Sequence, residues 1–423
     1  MTKKRHVAYI VIEADTPLKV GSNAMDFLQD SPVQKDWNGL PMILGTSIAG
    51  VLRKDFDSNK SDIFGEDKGS KVIISNALLV DEDGKVREEL LFKKSDFLKI
   101  FENLPIREHT AINSKGVTSN GAKFDEEIVY KGSRFKFSIE FIEEDKTTFE
   151  AILDLLSNPA FRLGGGSTKG FGKFKICEIN SKLVSLEEYS SSLNNTLSHC
   201  GECTTQSTIS TTHTIYTLKI EPDDFFMFGS GFGDSDADMT PVFEQIVDYK
   251  IKNLSTKQVL IPASSIKGAI AHRTAFYYNK KMLEIGNDHT KTGESNEAVK
   301  SIFGHKKELA SDKKTELGQK GKILISDCFK PLNEEKQTKI FDHVSIDRFT
   351  GGAIDGALFQ EKTVAKNGDN DWYEIEILLE KTIQREELKA FELALNDITT
   401  GMLSLGGATT KGHGVFRGSW SKK

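Results

Sequence analysis

The sequence predicts an α+β protein made of two tandem copies of one unit, divided by a polar linker. Three observations predict this. First, "LGGGSTKGFGKF" (Leu163–Phe174) and "LGGATTKGHGVF" (Leu405–Phe416) agree at eight of twelve positions. Second, the features upstream of each recur in the same order, as in an internal repeat. Third, the stretch Ser185–Thr214 holds 14 Ser or Thr in 30 residues, with almost no large apolar side chain and no period. That is linker composition. The expected boundaries are a first unit over 1–180, a linker over 181–212 and a second unit over 213–423.

Each unit opens on a strand-like run, "HVAYIVIEADTPL" and "TIYTLKIEPDDFF". The second alternates, with Tyr216, Leu218 and Ile220 on one face. An Asp- and Gly-containing loop follows, "VGSNAMDFLQDSPV" and "FGSGFGDSDADMTPV". Next comes a helix opening, "PMILGTSIAGVLRKDF" and "VLIPASSIKGAIAHRTAF". Ser47, and Ser264 or Ser265, are natural N-caps, followed by the stripes Ile48, Val51, Leu52, Phe56 and Ile266, Ala269, Ile270. "IFG" recurs at Ile63–Gly65 and Ile302–Gly304, then a polar segment, "EHTAINSKGVTSNGAKF" and "DHVSIDRFTGGAIDGALF". The glycine turn closes each unit. The separation grows from Ser47–Ser265 through His109–His343 to Leu163–Leu405, so order is kept while loop lengths drift.

Composition bounds the function. A charged fraction of 28% against 38% hydrophobic residues describes a soluble globular chain, expected to be cytoplasmic. No apolar run of about 18 residues is present to span a membrane, and the basic N-terminus breaks at Glu13, as a strand rather than a secretory signal. A net charge of −6 excludes a bulk basic sponge for nucleic acid but not a local basic groove. Cys177, Cys200, Cys203 and Cys328 are too few for a disulfide framework. "HCGEC" is a lone C-x-x-C, read as free thiols in a linker, because a zinc site needs about four ligands.

The helix openings and glycine turns carry the candidate chemistry. A capped helix N-terminus has free N–H groups and partial positive charge that suit a phosphate. Arg53, Lys267 and Arg273 lie one or two turns on. The same spacing serves equally an ordinary capped helix packed on a sheet. Lys169 and Lys411 sit inside the glycine turns, where a solvated lysine reaches phosphate. These are not Walker A loops, because "GKF" and "GVF" lead into a strand.

"PMILGTSIAGVLR", "VLIPASSIKGAIAHR", "VSIDRFTGGAIDGALF" and the two glycine turns resemble the RAMP superfamily of CRISPR systems, specifically backbone subunits of type III effector complexes. The similarity covers nearly the whole chain outside the linker, and the tandem arrangement resembles the III-D and III-E subtypes. It implies two ferredoxin-like (RRM-like) domains, each with an inserted "thumb" hairpin, stacked along a guide crRNA with other type III effector subunits. The thumbs map to His109–Ile128 and His343–Val364. The second carries "SIDR" with Arg348; the first has "AINS" in its place. The guide backbone is expected across Ser47, Arg53, Lys169, Ser264, Ser265, Lys267, Arg273 and Lys411, with His109, His343 and Arg348 contacting it from the thumbs.

The resemblance also implies that a loop aspartate cuts complementary target RNA with Mg2+ or Mn2+. "QDSPV" places Asp30 there; in the second unit either Met239 replaces the aspartate or a one-residue slip makes it Asp238, with Asp236 nearby. Asp30 and Asp238 are the expected metal-holding carboxylates. A non-catalytic guide scaffold and a stand-alone nuclease that processes guide precursors are the competing readings.

Overall fold

The computed structural model describes residues 4–22, 31–56, 59–66, 68–113, 117–191, 201–203, 212–286, 291–305 and 318–423. Asp30 and Cys200 lie outside the described residues.

The first unit strings together β1 (Lys4–Ala14), α1 (Gly45–Asp55), β2 (Val72–Ile74), the hairpin β3–β4 (Ile106–Ile112 and Thr118–Glu127), β5 (Arg134–Phe141), α2 (Lys146–Leu156) and β6 (Phe174–Ser185). The second repeats the order with β7 (His213–Pro222), α3 (Ala263–Glu284), β8 (Ile323–Ile325), the hairpin β9–β10 (Thr338–Ile346 and Ala353–Ala365), β11 (Tyr373–Glu380), α4 (Arg385–Thr399) and β12 (Phe416–Lys422). In the first sheet β1 is central, between β5 and β6, with β2 beyond β5. In the second, β7 lies between β11 and β12, with β8 beyond β11. Both cores are therefore a β-α-β-β-α-β path in which the hairpin interrupts the link between the second and third core strands.

The local reasons are visible in sequence. Tyr216, Leu218 and Ile220 of β7 are buried, as the alternation predicts. Central β1 is buried from Val7 to Ile12 without a break. Ile48 and Leu52 of α1, and Ile266 and Ile270 of α3, face the cores as expected. The predicted serine caps are corrected. The helices begin at Gly45 and Ala263, after Leu44 and Pro262, so Ser47, Ser264 and Ser265 lie inside the first turn. The first N–H of each helix is bound from across the chain: Gly45 donates to Asn76 Oδ1 (2.9 Å) and Ala263 to Asp327 Oδ1 (2.8 Å). A capping oxygen supplied from the link after β2 or β8 makes a local serine cap redundant.

Two features of the linker region also differ from expectation. β6 continues to Ser185, because Lys4 still pairs with Ser185 across from β1. Cys177 and Cys203 are joined as a disulfide rather than standing as free thiols. Cys328 is a buried free thiol, pushed up to about 12 by burial.

The two hydrophobic clusters are distinct, yet Val247 and Tyr249 of the second unit pack into the first one. Tyr249 Oη donates to Val80 O at 2.8 Å, and Val247 N donates to Lys131 O at 2.9 Å. Gly132, at φ 88°, permits this approach, since a Cβ there would strike Val247 O.

Beside this contact Arg107 of β3 is 6% exposed and crosses between the units. Nη2 donates to Glu244 Oε2 (2.9 Å) and Nη1 to Asp327 Oδ2 (2.6 Å), while Nε also binds Glu244. Burial works against the guanidinium charge, but Asp327 and Glu244 outweigh it and hold the pKa above its usual value. Asp327 thus binds Arg107 with one oxygen and the α3 N-terminus with the other.

Removing one partner of a buried ion pair strands the remaining charge and costs about 3–5 kcal/mol. Arg107→Ala is expected to lower unfolding stability by about that amount in urea denaturation. An unchanged midpoint and slope would show that Arg107 does not hold the units together.

Candidate functional site

Both hairpins fold back on their glycine turn through the same set of side chains. At each root a glutamate is buried: Glu126 is 2% exposed and Glu361 0%. His109 Nε2 lies 3.1 Å from Glu126 Oε2 and its ring stacks on Phe124 at 5.2 Å. His343 Nε2 lies 3.2 Å from Glu361 Oε2 and stacks on Phe359 at 4.8 Å. The turn lysines complete the sets. Lys169 Nζ is 3.7 Å from Glu126 and 4.6 Å from the Phe124 centroid. Lys411 Nζ is 2.8 Å from Glu361 and 4.6 Å from the Phe359 centroid. Lys19 also binds Glu126, and His413 Nε2 stands 3.7 Å from Glu361. Burial would raise the Glu126 carboxyl, but the close approach of His109, the hydrogen bond from Lys19 and the charge of Lys169 bring it down to about 2. A buried carboxylate persists only with such partners. Lys169 and Lys411 are therefore anchored, not freely solvated as their turns suggested. The glutamates were missed in the sequence, although "KFDEE" and "LFQEK" carry the same Phe-x-Glu spacing in the two polar segments.

The loop after each first strand zips onto the second hairpin strand, and its hydrogen bonds fix the register between units. Ser22 N donates to Pro32 O, and Ser230 N to Thr240 O. Gln34 N donates to Val20 O, and Val242 N to Phe228 O. Glu127 N donates to Ser31 O, and Lys362 N to Met239 O. Within each loop the matching residues stand the same number of residues apart, so Ser31 corresponds to Met239 and the residue before it, Asp30, to Asp238. This decides between the two alignments left open above: "SPV" and "TPV" are out of step by one residue. Asp238 is exposed and its Oδ2 accepts from Gln360 N at 2.8 Å. Asp236 is also exposed, and Lys362 binds it at 3.2 Å together with Asp234.

The remaining cations divide. Arg273 is tied to α4, with Nε 2.9 Å from Asp397 and Nη2 donating to Met402 O at 2.7 Å. Arg53 lies 3.8 Å from Glu66 on the surface. Arg348 is exposed at the tip of the second hairpin, where Asp347 Oδ1 accepts from Phe349 N and Thr350 N and shapes the turn. Lys267 is brought across the unit boundary: its Nζ donates to Thr168 Oγ1 of the first glycine turn at 3.2 Å. Burial, and then the charge of nearby Lys169, lower Lys267 to about 8. The glycine turn of unit one and the helix opening of unit two therefore form one cationic corner.

The two copies differ in what covers them. Ser167 and Gly170 of the first turn are buried against the second unit, whereas Thr409, Thr410 and Gly412 are exposed. A Cβ on Gly170 (φ 107°) would meet Asp327 and lie 2.7 Å from Ala263 Cβ; among the described residues nothing lies within 4 Å of one on Gly412 (φ 94°). At the opposite face, Leu324 and Asp327 are 7% and 9% exposed, while Ile73 is 48% exposed and Asn76 is exposed in the first unit. "VIISNA" and "ILISDC" place these residues at matching positions.

Left-handed backbone costs an alanine about 1–2 kcal/mol at either glycine, and overpacking adds about 1–3 kcal/mol where there is no room. Gly170→Ala is expected to destabilise the chain clearly more than Gly412→Ala in parallel thermal melts. Equal losses would show that the first turn is not clamped between the units.

A family model described as the RAMP superfamily matches residues 11–175 and 219–417. The chain is also similar to the CRISPR system Cms endoribonuclease Csm3 of Methanocaldococcus jannaschii, with 27% identity over 198 residues, spanning 40% of this chain and 77% of that protein. With one match on each of the two units just described, the chain belongs to the RAMP superfamily in tandem form.

Proposed function

We propose that this chain is a guide-RNA-binding backbone subunit of a type III CRISPR effector complex, and that it cuts complementary target RNA at two places, one beside each hairpin root. The observation that carries the reading is the shared loop register, by which Ser31 matches Met239 and, counting back one residue in sequence, Asp30 matches Asp238. The similarity to the endoribonuclease Csm3 supports ribonuclease chemistry. In this reading the β-α-β-β-α-β units are ferredoxin-like (RRM-like) domains and the hairpins are thumbs. Lys169, Lys267, Lys411 and the hairpin tips meet the guide backbone, and base pairing reads the target. The bare turn at Gly412 and the bare face at Ile73 and Asn76 are where neighbouring effector subunits stack, by analogy with the covered pair between the two units.

The cutting step uses the target's own 2′-hydroxyl: its oxygen attacks the adjacent phosphorus, the bond from phosphorus to the 5′-oxygen breaks, and a 2′,3′-cyclic phosphate and a 5′-hydroxyl, protonated from water, result. The protein splays the backbone so that attacking oxygen, phosphorus and leaving oxygen align. The aspartate takes the hydroxyl proton, which contributes about 10²–10⁴-fold. Asp238 offers a hard oxygen suited to Mg2+ or Mn2+, while Lys362 occupies Asp234 and Asp236. A metal there would have one carboxylate, with water and phosphate oxygens completing its shell, and would supply stabilisation of developing charge. His109 and His343 are held on buried glutamates and serve the hairpin roots rather than proton transfer. A non-catalytic scaffold is the second reading, favoured by the Asp238 carboxylate already accepting from Gln360 N.

Asp30→Ala and Asp238→Ala, reconstituted with guide and partner subunits, are each expected to slow one cut of an end-labelled target by at least about 10²-fold and leave the others. If every cut survives both substitutions while guide binding is intact, the chain is the scaffold.

Lys267 adds a pH test. It is protonated below its pKa of about 8, and a bound phosphate would return it toward the ordinary 10.5. Guide binding then takes up a proton between those values, so affinity falls as pH rises above 8, by up to about tenfold per unit. A base-stable 2′-O-methyl guide in a filter-binding assay is expected to show this slope with wild type and to lose it with Lys267→Arg. A flat wild-type profile would place the guide away from Lys267.

A further inference from the structure

Cys177 is the extra residue of a β-bulge in β6: Val11 pairs with Glu178 and Ile12 with Ile176, which leaves Cys177 between them. Bulges re-aim side chains. Here the sulfur turns to the edge where the linker returns, and it meets Cys203 and the carboxylate of Glu13. The three donor atoms lie within 4.8 Å of one another and all three residues are half-buried. They come from three separate segments, β1, β6 and the linker.

The surroundings are those of a held ligand set. Glu13 is oriented by Arg134, whose Nε and Nη2 bind Oε2 at 2.9 and 2.8 Å. Such outer bonds fix a ligand carboxylate. Two thiolates, one carboxylate and a divalent ion sum to a charge of about −1, which the Arg134 guanidinium balances. Arg134 in turn lies over the Tyr249 ring at 4.4 Å, so the cluster stands directly behind the point where the second unit docks on the first. Glu202, next to Cys203, is 2.6 Å from Lys250 of the second unit.

We infer that Cys177, Cys203 and Glu13 form a Zn2+ site that fastens the linker to the first unit beside the inter-unit contact, and that the Cys177–Cys203 disulfide is its oxidised form. Two thiolates and a carboxylate give three protein donors, and water fills the fourth tetrahedral position of Zn2+, an open set rather than the closed four-ligand one that the C-x-x-C lacked. The exchange balances. A dithiol reductant opens the disulfide to two thiols and is itself oxidised, and Zn2+ then displaces the two thiol protons to solvent.

The test uses the full chain, purified with reductant, loaded with Zn2+ or Co2+ and desalted. Metal per chain is read by elemental analysis and thiolate coordination by the Co2+ absorption spectrum. About one metal per chain is expected, lost in Cys177→Ser and in Cys203→Ser and weakened at least about tenfold in Glu13→Gln. Iodoacetamide labelling of the wild-type chain is a second measurement that needs no variant: Zn2+ should shield both cysteines. The inference is overturned if reduced wild type holds no more metal than Cys177→Ser, or if Zn2+ leaves the labelling of Cys177 and Cys203 unchanged. Either result leaves the pair as a plain disulfide.

Discussion

The arrangement of this protein depends on Asp327. One oxygen of that buried carboxylate starts the long helix α3 and the other receives Arg107 from the first unit. A charge taken out of water has to be met completely, so the helix opening, the first hairpin and the link after β8 that carries Asp327 are fixed together. Glu244, in the short strand Phe243–Glu244, doubles the constraint. Gly170 then presses on Ala263 because no side chain could stand between them. Through this one contact the glycine turn of the first unit and the helix of the second become a single corner, with Thr168 and Lys267 in hydrogen-bond contact.

The hairpins obey a second, duplicated constraint. Glu126 and Glu361 are each buried beneath a histidine and a turn lysine, and each lysine lies over a phenylalanine. A two-stranded hairpin is marginal by itself. Tying its root to the glycine turn gives it a defined departure from the sheet, so a tip residue such as Arg348 is carried at a set reach. Backbone hydrogen bonds from Glu127 and Lys362, the residues next to these glutamates, hold the loops of Ser31 and Met239 on the second hairpin strand. Loop and hairpin are thus parts of one small assembly, present in both units.

The repeats have diverged where they touch. Arg107 of the first hairpin is matched by Phe341 in the second, since Arg107 pairs with Glu126 and Phe341 with Glu361 in the two ladders. Asp327 is matched by Asn76, which caps its helix without a charge. At these two positions the faces that meet inside the chain carry buried charge, while Phe341 and Asn76 on the outer faces are neutral. This gives the tandem a direction, because neither unit can take the other's place without stranding Arg107 or Asp327.

Much was legible in the sequence because it is local. The two glycine turns, the alternation of Tyr216, Leu218 and Ile220, and the stripes of Ile48 and Ile266 follow from period and backbone preference. Comparing the two copies also showed the order of elements. What tertiary structure alone decided is every relation between segments far apart in the chain. Helix starts moved from Ser47 and Ser265 to Gly45 and Ala263 because capping atoms arrive from Asn76 and Asp327. The match of Asp30 with Asp238 came from backbone hydrogen bonds, where a shared Pro-Val pair had pointed one residue away. Lys169 proved to be held by Glu126, and Cys203 to face Cys177. Buried charges and sulfurs take partners by proximity in space, and a sequence records only proximity along the chain.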